Sequence, residues 1–178
     1  MKIPNWNKGG GKVVFAFLAK HLGLKTFIET GCGFGDTVAF MHPVYEKVYS
    51  IELDKWKYEL CKELFQYVPN VEILHGDSAS ILPGLFDRIP NNPTFFWLDA
   101  HGMPGEDDGP LGNEVKIILS KRPDALIAID DVGQGTHHDI EMSALTKAGI
   151  NLRELTLDYR FGRVMFIHKG QYSIPRMG

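Results

Sequence analysis

Short apolar runs alternate with longer amphipathic ones along most of this chain, and that alternation restricts the fold more than any other feature. The runs are Thr26–Glu29, Val48–Glu52, Val71–His75, Thr94–Asp99 and Leu126–Asp130, rich in Val, Ile, Phe or Trp and bounded by Gly, Pro, Asn or Asp. Such segments read as strands, and their near-continuous apolar character suits strands buried on both faces. Helical patterns lie between them. Asp54–Tyr67 is the clearest, because Trp56, Leu60, Leu64 and Val68 recur every four residues with Lys55, Glu59, Lys62 and Glu63 on other faces. Val68-Pro69-Asn70 stops that helix. Asp77–Ile89, interrupted by Pro83-Gly84, Asn113–Lys121 and His137–Lys147 are further helices, with Gly149 placed to end the last. Gly11–Leu22 forms a helix leading into the first strand.

Strands alternating with helices imply a parallel sheet with right-handed crossovers. The end of the chain differs. Leu152–Leu157 and Arg163–His168 are strand patterns separated by the five-residue turn Asp158–Gly162, which predicts an antiparallel hairpin. The expected class is therefore α/β, with a mixed sheet of five or six parallel strands and one reversed strand near an edge.

At 178 residues the chain is about one domain. Its 44% hydrophobic and 23% charged content is that of a globular protein and excludes a disordered one. A net charge of −3 argues against a dedicated nucleic-acid binder, which needs a basic surface to neutralise phosphates. Two cysteines, Cys32 and Cys61, cannot build a disulfide framework or a four-thiolate metal site, so reduced thiols in a cytoplasmic protein are expected. The longest apolar run, Val13–Ala19, is far short of the ~20 residues that span a bilayer. Neither a signal peptide nor a membrane anchor is expected.

In open α/β sheets ligands bind at the carboxyl ends of the strands. The first strand is followed by Glu29-Thr30-Gly31-Cys32-Gly33-Phe34-Gly35-Asp36-Thr37, whose glycines permit a sharp turn and close approach of a ligand to the main chain. The spacing is G-x-G-x-G rather than the G-x-G-x-x-G of dinucleotide sites, and Asp36 would set negative charge near a pyrophosphate. The second strand ends at Glu52, 21 residues past Gly31, where a carboxylate can accept hydrogen bonds from both ribose hydroxyls of an adenosine ligand. The third is followed by Gly76-Asp77-Ser78. Asp77 can accept from an adenine amino group, with Ser78 adding a polar contact, and either residue can cap the next helix.

These sites, in order at successive strand ends, resemble the class I S-adenosylmethionine-dependent methyltransferase family over about residues 10 to 169. The Glu29-x-Gly31-x-Gly33-x-Gly35 loop matches its first motif, Glu52 its acidic ribose ligand and Gly76-Asp77 its adenine-side motif, and the terminal hairpin resembles its reversed seventh strand. The resemblance implies one Rossmann-like domain over residues 1–178 with strand order 3-2-1-4-5-7-6. It also implies S-adenosylmethionine as cofactor, held by Glu29, Gly31, Cys32, Gly33, Gly35, Thr37, Glu52, Leu53, Asp77, Ser78 and Asp99.

The fourth and fifth strands run into Asp99-Ala100-His101 and Asp130-Asp131. Adjacent strand ends would bring Asp99, Asp130 and Asp131 together, and carboxylates so placed repel unless protonated or bridged by a cation. Hard oxygen ligands suit Mg²⁺, Ca²⁺ or Mn²⁺. The arrangement is similar to the metal-dependent O-methyltransferases, in which the cation binds substrate oxygens and lowers the pKa of the one to be methylated. Alternatively Asp99 acts alone, and Asp130-Asp131 are a strand-end acid and a cap. His101 is read as a general base, a metal ligand or a packed imidazole, and Asp99 and His101 as the catalytic pair.

The loop Gly102–Gly112, with Glu106-Asp107-Asp108, is long enough for a lid, although its acids also suit a solvated loop. Leu-Asp-Ala-His followed by this Gly-Glu-rich loop and the later Asp-Asp resembles a less characterised bacterial branch of the same family. His137 and His138 rank below His101, and His21, His42, His75 and His168 are read as structural. Cys32 is read as a small residue lining the cofactor pocket rather than a nucleophile. A pocket this lightly covered would be closed by Met1–Gly10 with Trp6, by the Gly102–Gly112 loop, or by another subunit of a homo-oligomer. The expected partner is a small-molecule acceptor, with neither nucleic acid nor membrane. The competing readings are a nucleoside-binding module without transfer and a divalent-cation hydrolase. The latter explains the aspartates but leaves the glycine loop and Glu52 without a role.

Overall fold

A computed structural model describes residues 10–100, 109–130, 132, 137–160 and 164–174. The strands are β1 (Thr26–Thr30), β2 (Lys47–Glu52), β3 (Val71–His75), β4 (Thr94–Leu98), β5 (Leu126–Ile129), β6 (Thr156–Arg160) and β7 (Val164–His168). The helices are α1 (Gly10–Leu22), α2 (Asp36–Met41), α3 (Lys55–Leu64), α4 (Ser78–Leu85), α5 (Leu111–Lys121) and α6 (His137–Lys147). The strands form one sheet in the order β3-β2-β1-β4-β5-β7-β6. The first five pair in parallel, and β7 runs antiparallel to both β5 and β6. The mixed sheet is the one the strand pattern predicts, and the strand order is the one the family resemblance implies.

Strand periodicity divides the core in two. Phe27, Val48, Phe95, Leu126 and Phe166 point to one face, which α1, α2 and α3 cover with residues such as Phe15, Leu18, Met41 and Cys61. Ile28, Ile51, Phe96, Leu98 and Ile127 point to the other, covered by α4, α5 and α6 through Leu82, Val115, Ile118 and Leu145. Phe15 sits 4.9 Å from the ring of Phe95 and 4.7 Å from that of Trp97. Truncating such a side chain to alanine costs about 3–5 kcal/mol. Among the described residues no helix is long and apolar enough to cross a membrane.

Several boundaries differ from the sequence reading for local reasons. The hairpin's first strand is Thr156–Arg160, not Leu152–Leu157, because Asn151 accepts from the Arg153 N–H at 3.2 Å and starts a short 3-10 turn over Leu152–Glu154. The strand therefore begins later and extends past Asp158, the first residue of the predicted turn. α4 keeps Pro83 inside it and ends at Leu85, and α5 starts at Leu111, inside the stretch read as loop. In α3 the Trp56-Leu60-Leu64 stripe marks the helix but is not its buried face: Trp56 and Leu64 are 63% and 58% exposed, while Cys61 is fully buried. α2 begins at Asp36, and Gly35 occupies its cap position in the left-handed region.

Candidate functional site

The order β3-β2-β1-β4-β5 places a topological switch between β1 and β4, because the chain winds outward from that pair in both directions. A cleft of about 560 Å³ opens there, at the carboxyl ends of β1 to β4. That volume is within the range of small-ligand sites. Backbone bonds beyond the strands fix its walls: Gly31 N–H donates to Ile51 O (2.9 Å), Gly76 N–H to Glu52 O (2.9 Å), and Asp99 N–H to Thr30 O (3.0 Å).

The glycine loop is held by three different environments. Gly31 (φ 85°) lies against the end of β4, and a Cβ there would stand 2.5 Å from the Asp99 carbonyl oxygen. A Cβ on Gly35 (φ 82°) would strike the Phe65 ring at 2.8 Å. Gly33 (φ 57°) has nothing within 4 Å of that position and lines the cleft. Gly31 and Gly35 therefore let the loop pack, and Gly33 leaves space for a ligand.

Glu52 carries the clearest polar geometry. It is 7% exposed and lines the cleft. Its Oε2 accepts from the Gly33 N–H and its Oε1 from the Asp54 N–H, each at 2.8 Å. One carboxylate thus ties the glycine loop to the β2 exit, and each oxygen retains a second acceptor site for a ligand hydroxyl. Leu53 beside it is 70% exposed and also lines the cleft. On the far wall Asp77 caps α4, accepting from the Ser80 N–H at 2.9 Å and from its hydroxyl at 2.6 Å, while Ser78 faces the cleft. Both roles considered for Asp77 are compatible, since capping occupies only one of its oxygens.

Glu29 and Cys32 belong to the layer beneath, and Thr37 is half-buried with its hydroxyl toward Glu29. Glu29 is 1% exposed, and its Oε2 accepts from the hydroxyl of its cross-strand partner Ser50 at 2.6 Å. Burial pushes its pKa up to about 7, against the opposing pull of the Ser50 and Thr37 hydroxyls and the Lys12 charge. Cys32 turns into the core next to Cys61 instead of lining the cleft, and burial raises both thiols. A buried, raised thiol is a poor nucleophile. The Cys61 thiol faces the Gly33 carbonyl at 3.5 Å and so supports the loop from below.

Asp99 lines the cleft at the end of β4, and Asp130 follows β5, its N–H bonded to Leu98 O at 3.1 Å. The two aspartates thus end neighbouring strands, as expected. Asp131, His101, Glu106, Asp107, Asp108 and Trp6 lie outside the described residues, as do the side chains of His137 and His138. Among the described residues no group of three His, Cys, Asp or Glu is arranged to hold a metal ion. His168 is 2% exposed and its Nδ1 accepts from the Gly170 N–H at 3.0 Å; His75 stacks on Tyr58 at 4.9 Å. His21 stacks on Phe17 at 5.4 Å. All three have structural surroundings.

Sequence reasoning missed Lys57 and Pro110, which line the cleft, and the buried acid Glu114. Lys57 follows the capping Asp54 by three residues, the one signal that would have placed it at this rim.

No family model matches the sequence, and no curated protein is similar to it in sequence. Solved structures do match. A protein assigned as an O-methyltransferase from Klebsiella pneumoniae aligns over 90% of this chain and 80% of its own, with TM-score 0.67 and 17% identity. An O-methyltransferase from Bacillus cereus, solved with S-adenosylhomocysteine, aligns over 89% and 80% with TM-score 0.65 and 15% identity. The Streptomyces achromogenes O-methyltransferase TomG, involved in tomaymycin synthesis and solved with S-adenosylmethionine, aligns over 88% and 77% with TM-score 0.62 and 18% identity. Strand order, reversed β7 and these likenesses together show that the chain has the fold of the class I S-adenosylmethionine-dependent methyltransferases.

Proposed function

We propose that this protein is an S-adenosylmethionine-dependent methyltransferase that methylates an oxygen of a small molecule. The observation that carries the reading is the pairing of Glu52 with Gly33: a buried acceptor carboxylate at the end of β2 beside a left-handed glycine open to the cleft. Such a pair suits a ribose diol and a ligand lying close over the main chain. Glu52 would accept from the ribose hydroxyls, Leu53 would cover one face of the adenine, and Asp77 with Ser78 would meet its polar edge. Bound there, the cofactor supplies a sulfonium methyl group for in-line displacement by the acceptor oxygen. Asp99, which lines the cleft beside Gly31, would orient the acceptor and receive its proton.

The finer proposal adds a divalent cation held by Asp99, Asp130 and Asp131, with His101 assisting as base or ligand. The described residues supply two of those carboxylates at adjacent strand ends. A magnesium titration of turnover decides the part of the cation. The acidic balance of the chain favours a small acceptor over nucleic acid.

The test is transfer of labelled methyl from S-adenosylmethionine to a panel of phenols, sugars and carboxylic acids, alongside binding of S-adenosylhomocysteine. Binding with transfer supports the reading. Binding without transfer to any acceptor favours the silent nucleoside-binding module, and no binding refutes both.

A further inference from the structure

One buried acid near the cleft has no part in the chemistry above. Glu114 stands in the first turn of α5, is 1% exposed, and its Oε1 has no hydrogen-bond partner. Thr30 Oγ1, at the carboxyl end of β1, is buried and equally unpartnered. The hydroxyls facing Glu114 are those of Thr30 and Ser78. Ser78 opens α4 and lines the cleft, and Thr30 immediately precedes Gly31, which lines the opposite wall. Glu114 therefore reaches the residues from which the adenine-side wall and the glycine loop both depart.

Its protonation state decides how it holds them. As a carboxylate its unpartnered Oε1 can accept from a hydroxyl such as that of Thr30, itself unpartnered; as a neutral acid one oxygen becomes a donor and an acceptor site is lost. The charged group that faces it is Asp77, ahead of α4, which opposes ionisation. Among the described residues, the core cluster that α5 joins through Val115 and Ile118 includes the apolar Leu98, Ile129 and Leu145. Burial is the largest influence and raises the pKa to about 7, so both states are accessible near neutrality.

We propose that Glu114 is a positioning residue for the nucleoside cofactor: its ionised carboxylate draws the Thr30 and Ser78 hydroxyls together and fixes both walls of the cleft, and its protonation loosens them. This rests on the cofactor reading given above. The consequence is that cofactor affinity weakens as pH falls through neutrality, by way of a side chain that does not touch the cofactor.

The experiment measures S-adenosylhomocysteine affinity by calorimetry from pH 5.5 to 8.5 for the unmodified protein and Glu114→Gln. Reading the difference between the two profiles cancels titration of the ligand and of Glu29. The unmodified protein is expected to gain roughly five- to tenfold in affinity over the Gln variant as pH rises, the worth of about one buried hydrogen bond. At pH 5.5 the two are expected to coincide. Should Glu114→Gln fail to fold, Ser78→Ala and Thr30→Val serve, each flattening the profile. Parallel profiles in unmodified protein and variants would overturn the assignment while leaving the cofactor reading intact. Absence of binding by the unmodified protein overturns both.

Discussion

Two glycines in the same loop should respond in opposite ways to the same added methyl group. Gly31 and Gly33 both have left-handed backbones, so alanine at either position meets a conformational cost of about 1–2 kcal/mol. At Gly33 that is nearly the whole cost, because the new Cβ has no neighbour within 4 Å. At Gly31 the Cβ would sit 2.5 Å from Asp99 O, 2.9 Å from its carbonyl carbon and 3.2 Å from Ala100 Cα. Those are backbone atoms, and the Asp99 N–H bond to Thr30 O at 3.0 Å holds them in place. Overpacking adds about 1–3 kcal/mol. Gly31→Ala should therefore lose about 2–5 kcal/mol, or roughly 4–20 °C in Tm, against about 1–2 kcal/mol and 2–8 °C for Gly33→Ala. Binding should invert the order among folded protein. The Gly33→Ala methyl projects into the cleft and should weaken S-adenosylhomocysteine at least tenfold, an effect of about 1.4 kcal/mol or more. Scanning calorimetry and titration calorimetry on both variants measure the two effects. Equal Tm losses would refute the close-approach argument at Gly31, and unchanged affinity in Gly33→Ala would refute the placement of the ligand over Gly33.

Glu29→Gln should flatten part of the dependence of stability on pH. The folded pKa of about 7 lies above the ordinary 4.5, so the folded state holds its proton to higher pH and stability is lost as pH rises between those values. From pH 4.5 to 8 the unmodified protein should lose about 3 kcal/mol more than the variant in denaturant unfolding, and parallel curves would contradict the burial argument. Asp99→Asn should abolish methyl transfer and leave S-adenosylhomocysteine affinity within about twofold, as kinetic and binding assays on one preparation would show. Chelation followed by Mg²⁺ addition should suppress and restore turnover if the cation assignment is right; activity indifferent to both would remove it.

The main outline of the sheet was readable because parallel strands buried on both faces are apolar in nearly every position, as in Phe27-Ile28 and Phe95-Phe96. The order of strands was not written in that pattern; it came from the motif resemblance. The acids at strand ends were also readable, since Glu52, Asp77 and Asp99 each follow an apolar run by no more than two residues. Direction was not. Periodicity could not say that Cys32 turns down into the core while Gly33 stays open, nor that α3 presents Cys61 rather than Trp56 to the sheet. Both depend on how far α3 lies from the loop, which is a tertiary distance. Glu114 was hidden for the same reason. In sequence it is an ordinary first-turn helix acid, and only the approach of α4 and β1 buries it against Ser78 and Thr30.

On the function proposed, the cleft over Gly33 and Glu52 takes an adenosine-containing methyl donor. Titration of the protein and of Glu52→Ala with S-adenosylhomocysteine tests it most directly. Micromolar binding is expected, weakened at least tenfold in the variant while the fold survives. Absence of binding, or equal affinity in both proteins, would contradict it.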